Sequence, residues 1–229
     1  MIKKLICFVF IVFSQNVLSV ESTCHGTTSK GYLAHGVKLP AKGPNFVSYS
    51  SLTRMLGRTY VHSKVKKIIL QSYQRLEKEQ PGKKYKYAET GFKNGGQFKP
   101  HKTHRNGLSV DFMVPVINKK DESVYFPTNP FNKFGYSVEF NNKGVYEGYR
   151  IDFEAMAAHI VALHKAAVKN GANLWWVIFA PELQPYLLKT TYGAYIKKNI
   201  QLSKKRSWVR HDEHYHVDFS VKCLPLQKQ

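Results

Sequence analysis

His211-Asp212-Glu213-His214-Tyr215-His216-Val217-Asp218-Phe219-Ser220-Val221 is the stretch that decides how this chain is read. From His214 onward polar and apolar residues alternate, the period of a strand with one face on a core. Tyr215, Val217, Phe219 and Val221 form the apolar face, so His214, His216 and Asp218 project together from the other. Two imidazoles on one strand face are a natural start for a metal site. A complementary piece lies earlier, where Leu108, Val110, Phe112 and Val114 alternate with Ser109, Asp111 and Met113. That pattern predicts a second half-buried strand with Asp111 on its polar face. His104 precedes it across a loop containing Gly107, which allows the chain to turn back toward the strand. If the two strands are neighbours, two imidazoles from these clusters and the Asp111 carboxylate can converge on one ion. Three protein ligands leave a fourth tetrahedral position for water, the arrangement of a catalytic zinc.

Working outward, Val65, Ile68, Ile69, Tyr73 and Leu76 recur at helical spacing, with Ser63 placed to cap and Pro81-Gly82 to stop. Asp152 can cap a second helix carrying Phe153, Met156, Ala157, Ile160, Val161, His164 and Val168, with Gly171 beyond its end. His159 and His164 on that helix read as packing or surface residues. Tyr85 to Thr90 and the aromatic-rich run Leu174 to Ala180 have strand length, and Pro181 is expected to open a short helix through Leu188. His25 to Tyr60 and Lys93 to Gly107 read as loops, and the basic stretch Lys197 to Arg206 leads into the last strand. Strands and helices in no regular alternation predict an α+β fold with a small, mainly antiparallel central sheet flanked by helices and long loops.

Lys3 and Lys4 followed by the apolar run Leu5 to Phe13 read as an export signal occupying residues 1–19, with cleavage after Ser19 and Ser22 as the alternative. The run is short for a bilayer span, so no membrane anchor is expected after cleavage. Residues 20–229 then form one domain. Cys24 and Cys223 would remain, one near each mature terminus, and an oxidising compartment permits a bridge between them. The formal net charge is +20 and falls by two when Lys3 and Lys4 leave. Such a surface favours a polyanionic partner, and export makes the cell wall the better candidate than nucleic acid.

Half of the ten histidines fall in two clusters, His101 with His104 and His211 with His214 and His216. Asn94-Gly95-Gly96 followed by His101-Lys-Thr-His104-Arg-Asn-Gly107-Leu-Ser-Val-Asp111 resembles the first motif of the penicillin-insensitive murein endopeptidases. His211-Asp-Glu-His214-Tyr-His216-Val resembles their His-x-x-His-x-His motif. Gly36-Val-Lys-Leu39-Pro40 and Arg58-Thr-Tyr-Val-His62 are smaller matches, so the resemblance covers most of the mature chain. That family belongs to the LAS metallopeptidases, with lysostaphin-type enzymes, D-Ala-D-Ala peptidases and hedgehog domains.

The resemblance implies a LAS/hedgehog-like fold with Zn2+ on His104, Asp111 and His216, and with His211 and His214 catalytic rather than primary ligands. His101 matches a position linked to a second metal. The implied substrate is peptidoglycan, cut at the D-alanyl–diaminopimelyl amide in the periplasm of a Gram-negative cell. His211 is assigned the base and His214 the donor to the developing oxyanion, roles that could be exchanged. Lys93, Lys99, Lys102 and Arg105 are candidates to hold substrate carboxylates. Ser109 stands where the family has Asp and Asp218 where a basic residue is usual. Asp218 either orients a histidine or binds lysine or water. No Gly-x-Ser-x-Gly occurs, which disfavours a serine mechanism. Alternatives are a histidine-rich metal nuclease, a non-catalytic wall- or partner-binding domain on the same scaffold, and a different LAS-type peptidase.

Overall fold

The computed structural model describes residues 20–226, so the expected export signal at 1–19 lies outside the described residues. Ser109–Met113 and His214–Ser220 are strands, and they pair antiparallel with His216 opposite Asp111 and Asp218 opposite Ser109. They are two of the three interior strands of a five-stranded sheet in the order Asn173–Ile178, His214–Ser220, Ser109–Met113, Tyr85–Tyr87, Phe46–Ser48. Every pairing in it is antiparallel except the last, Tyr85–Tyr87 with Phe46–Ser48. One face carries Val110, Phe112, Tyr215, Val217 and Phe219 into the main core. The opposite face carries Asp111, His214, His216 and Asp218. Strand alternation therefore separates the apolar core from the polar site by one sheet thickness.

Two helices cover the apolar face. In Ser63–Glu79 the buried Val65, Ile68, Ile69, Tyr73 and Leu76 follow the helical period. Its N-cap is His62, whose imidazole accepts from Lys64 N at 3.1 Å, rather than the expected Ser63. Ser63 is the first helical residue and its hydroxyl accepts from Ser22 N instead. Phe153–Lys169 starts as expected, with Asp152 accepting from Ala155 N at 3.0 Å, and Gly171 follows its end at φ 66°. Ala155 to Leu163 is buried without interruption, because the helix is clasped between the sheet, the Ser63–Glu79 helix and two short helices, Gln184–Leu188 and Gly193–Asn199. His159 bonds the Tyr215 hydroxyl and stacks on Tyr73, and His164 bonds the Tyr195 hydroxyl at 2.9 Å.

Several segments differ from their reading as loops. Residues 25–60 contain part of a hairpin, Thr23–Gly26 with Gly31–Ala34, the small pair Val37–Lys38 with Tyr60–Val61, a strand of the main sheet, and the helical turn Ser51–Met55. Each is too short to display a period. A second sheet, from Val116–Ile117, Ser123–Val124, Val145–Tyr146 and Tyr149–Ile151, rests on similarly short strands. The helix expected from Pro181 begins only at Gln184, and the basic stretch holds the end of the Gly193–Asn199 helix. Ser109–Met113 is buried on both faces rather than half-buried, since the loops that build the site lie over its polar side. No helix among the described residues is long and apolar enough to cross a membrane.

Cys24 and Cys223 form a disulfide that closes a loop of 199 residues. Backbone hydrogen bonds from Gly26 N to Leu224 O and from Leu224 N to Cys24 O, both 2.9 Å, hold the same junction. In the chain-entropy picture a loop of this length stabilises by up to about 5 kcal/mol. Cys24→Ser combined with Cys223→Ser should therefore lower unfolding stability by about 2–5 kcal/mol in denaturant titration. Burial lowers His159 to about 3 and keeps it neutral. Its folded value lies below the unfolded one, so it contributes stability above pH 6.5 that is lost as pH falls toward 3. Replacing His159 by Phe should reduce the stability lost between pH 7 and pH 4.5 by about 3 kcal/mol, measured by denaturant unfolding at each pH.

Candidate metal centre

The loop before Ser109–Met113 brings two imidazoles over that strand. Gly107 makes the return at φ 77°, with its carbonyl accepting from His62 N at 3.0 Å. A Cβ there would stand 2.8 Å from His62 N and 2.6 Å from a Leu33 methyl, so only glycine fits. His104 and His211 are themselves left-handed, at φ 65° and 57°. Side chains rarely accept that conformation, which costs roughly 1–3 kcal/mol and persists only when the surroundings impose it. For His104 the surroundings are complete burial, a face against Phe98 and a 3.1 Å bond from Nδ1 to Thr90 O.

Asp111 is the centre of the arrangement and has no solvent exposure. His216 Nδ1 lies 2.8 Å and His104 Nε2 3.3 Å from its Oδ1. On the other oxygen, the Tyr136 hydroxyl donates to Oδ2 at 2.9 Å, His101 Nδ1 is 3.8 Å away and His214 Nε2 3.9 Å. His101, His104 and Asp111 each present a ligand atom within 4.8 Å of the others, a group that could hold a metal ion. His211 stacks near His214, with ring centres 4.5 Å apart, and both line a cleft of about 580 Å³ with His101 and His216.

Each imidazole is anchored through one nitrogen, which leaves the other aimed inward. His104 Nδ1 donates to Thr90 O and His211 Nδ1 to Val209 O. His101 Nε2 meets Glu89 at 2.5 Å, His214 Nδ1 meets Glu213 at 2.7 Å and His216 Nε2 meets Asp218 at 3.0 Å. A carbonyl only accepts, so the His104 proton sits on Nδ1 and Nε2 is a bare lone pair. That atom is buried with no hydrogen-bond partner, and it faces a carboxylate. Burial lowers the His104 pKa, so the ring is neutral and two electron-rich atoms oppose each other. A divalent cation between them resolves the conflict, so the residues present fit a metal ion.

Charge in the remainder is tightly paired. Burial would raise Asp111, but the nearby His214 and the bond from His216 outweigh it and hold the carboxyl well below its usual range. Glu89 likewise resists burial and is lowered to about 2 by Arg58 and His101. Arg58 grips both Glu89 oxygens, and the Tyr49 hydroxyl donates to Oε1 at 2.8 Å. Burial and His214 push His211 down to about 3 rather than leaving it near its ordinary value. For His214 burial is overcome by Glu213 and Asp111, which raise it. His211 is thus neutral and accepting, while its neighbour favours the protonated, donating form.

All six residues singled out from sequence meet at this site. Of the four basic loop residues, Lys102 lines the cleft, whereas Lys93, Lys99 and Arg105 do not. Glu89, Tyr136, Tyr49, Lys133 and Trp208 were not foreseen, and Arg58 had been noted only within a motif. A single tyrosine or glutamate in a loop carries no spacing signal.

A buried carboxylate ringed by anchored imidazoles, open to a cleft, defines the class of metal-dependent hydrolases. Over residues 24–228 the chain matches the family described as penicillin-insensitive murein endopeptidase, and it belongs to that family. It is accordingly a peptidase of the cell wall, with peptidoglycan as its substrate and its action outside the cytoplasm. A comparison with curated proteins finds no match.

Arg58→Ala would leave Glu89 charged and buried beside His101. It should destabilise the protein by about 3–5 kcal/mol in denaturant unfolding at pH 7. The deficit should shrink as pH falls, because Glu89 of the variant takes up a proton at a higher pH than Glu89 held by Arg58.

Proposed function

We propose that the protein is a zinc-dependent peptidoglycan endopeptidase that hydrolyses the D-alanyl–meso-diaminopimelyl amide of murein cross-links. The observation that carries this reading is the partnerless, buried His104 Nε2 facing Asp111 at 3.3 Å beside a cleft that runs past four further histidines. His104, Asp111 and His216 would hold the zinc, and His101 is the residue in reach for a second ion. Zinc bound there supplies Lewis-acid polarisation of the scissile carbonyl and lowers the pKa of a water toward neutrality.

The chain's own residues do the rest. His211 is the general base: Val209 O fixes its Nδ1 proton, which leaves Nε2 on the cleft side to take a proton and return it to the leaving amine. His214 donates to the oxyanion that develops on the carbonyl, because Glu213 and Asp111 favour its protonated form. The Tyr136 hydroxyl holds Asp111 Oδ2 in place. Lys102 and Lys133 at the rim are suited to the free carboxylates of diaminopimelate, and Trp208, half exposed, offers the cleft an apolar wall. Residues 20–229 act as one periplasmic domain after removal of 1–19.

The test is release of uncross-linked peptides from defined murein dimers, followed by mass analysis. Chelator should abolish release, Zn2+ should restore it, and a β-lactam should leave it unchanged. His211→Ala should lower turnover by about 10²–10⁴-fold with zinc content unaltered. Full activity in chelator-treated protein would overturn the assignment.

A further inference from the structure

Of the three proposed ligands, His216 alone is held from behind by a second carboxylate. Asp218 lies two residues along the same strand face and is only 3 % exposed. Its Oδ1 accepts from His216 Nε2 at 3.0 Å and also from the hydroxyl of Ser109. Ser109 is fully buried and sits directly across from Asp218 in the strand register. Among the described residues no lysine or arginine pairs with Asp218, so this carboxylate is committed to the imidazole and the hydroxyl.

The chemistry of that contact is directional. Without an ion both ring nitrogens of His216 meet carboxylates and donate to them, Nδ1 to Asp111 at 2.8 Å and Nε2 to Asp218 at 3.0 Å. A cation taken up beside Asp111 displaces the Nδ1 proton, and Asp218 keeps the one on Nε2. With an ion bound and the proton retained on Nε2, the lone pair of His216 is at Nδ1, the atom 2.8 Å from Asp111 Oδ1. The opposite tautomer would place an N–H where a ligand atom is needed and a lone pair against Asp218. Ser109 completes the device. Its hydroxyl has a single proton to give, and giving it to Asp218 fixes the carboxylate without adding charge. A second acid at position 109 would instead oppose Asp218 across directly paired strands, where like charges destabilise.

We infer that Asp218 is a positioning residue of the metal centre, which locks His216 as its Nε2–H tautomer so that Nδ1 faces the ion, with Ser109 holding Asp218 in turn. The inference rests on the ligand set proposed above. Partners of this kind alter metal affinity by about 10–100-fold, because they orient the ring and raise its basicity.

The experiment measures Zn2+ affinity by competition with a chromophoric chelator. It uses stripped and reloaded wild type, Asp218→Asn and Ser109→Ala, each at a temperature where it is folded. Asp218→Asn is expected to bind zinc about 10–100-fold more weakly, and Ser109→Ala by a smaller factor. Nitrogen NMR of zinc-loaded wild type should show the His216 proton on Nε2. A merely structural role would lower the unfolding midpoint and leave both the affinity of the folded protein and the tautomer unchanged. Affinity of Asp218→Asn within twofold of wild type, or a His216 proton on Nδ1, overturns the inference. If Asp218→Asn does not fold, the tautomer in wild type decides. Wild type that binds no zinc would remove the ligand set and this inference together, whereas equal binding by wild type and variant would remove this inference alone.

Discussion

One buried negative charge organises the molecule: the carboxylate of Asp111, with no access to solvent and two oxygens to satisfy. An isolated carboxylate in that position would cost several kcal/mol, and ordinarily it would take up a proton. Here it stays ionised because His214, which favours its protonated form, stands close and because His216 Nδ1 and the Tyr136 hydroxyl donate to it directly. The surrounding groups bear their own constraints, since each imidazole is turned toward Asp111 by an acceptor behind it. The site is therefore a nested set of oriented hydrogen bonds, and its outermost members are Arg58, Thr90 and Ser109.

The fold supplies what that arrangement needs. Antiparallel pairing of Ser109–Met113 with His214–Ser220 sets Asp111 opposite His216 and fixes their spacing through the backbone. The neighbouring Tyr85–Tyr87 strand continues to Glu89, whose carbonyl accepts from Asp111 N at 2.9 Å. Strand ends and loops then deliver the remaining groups: His101 and His104 from one side, Tyr136 from another, His211 from the turn tied to Ala180 N. Left-handed backbone at His104 and His211 is the local cost of aiming side chains from loops. The same loops bury the strand's polar face, which is why Ser109–Met113 has no solvent side.

Ser109 and Asp218 are cross-strand partners of each other. The two residues thus form a single contact beside a histidine of the site. Contacts of this kind are invisible along the chain, where the two positions are far apart. They become one feature only when the strand register is known.

The amino-acid sequence alone determined the two strands and the polar faces that carry Asp111, His214 and His216, because alternation is a local property of an extended chain; His101, His104 and His211 are legible beside them as histidine clusters within the resembling motifs. It likewise determined the two long helices, whose apolar period and caps lie within a single segment. Short strands such as Val116–Ile117 escaped, since two residues carry no period. Only the tertiary structure decided which nitrogen of each imidazole faces inward and that Glu89, Tyr136 and Arg58 belong to the site. It also decided that His211 is held neutral beside a His214 that favours its proton. Those properties arise from burial and from contacts between distant segments, and no spacing within one segment records them.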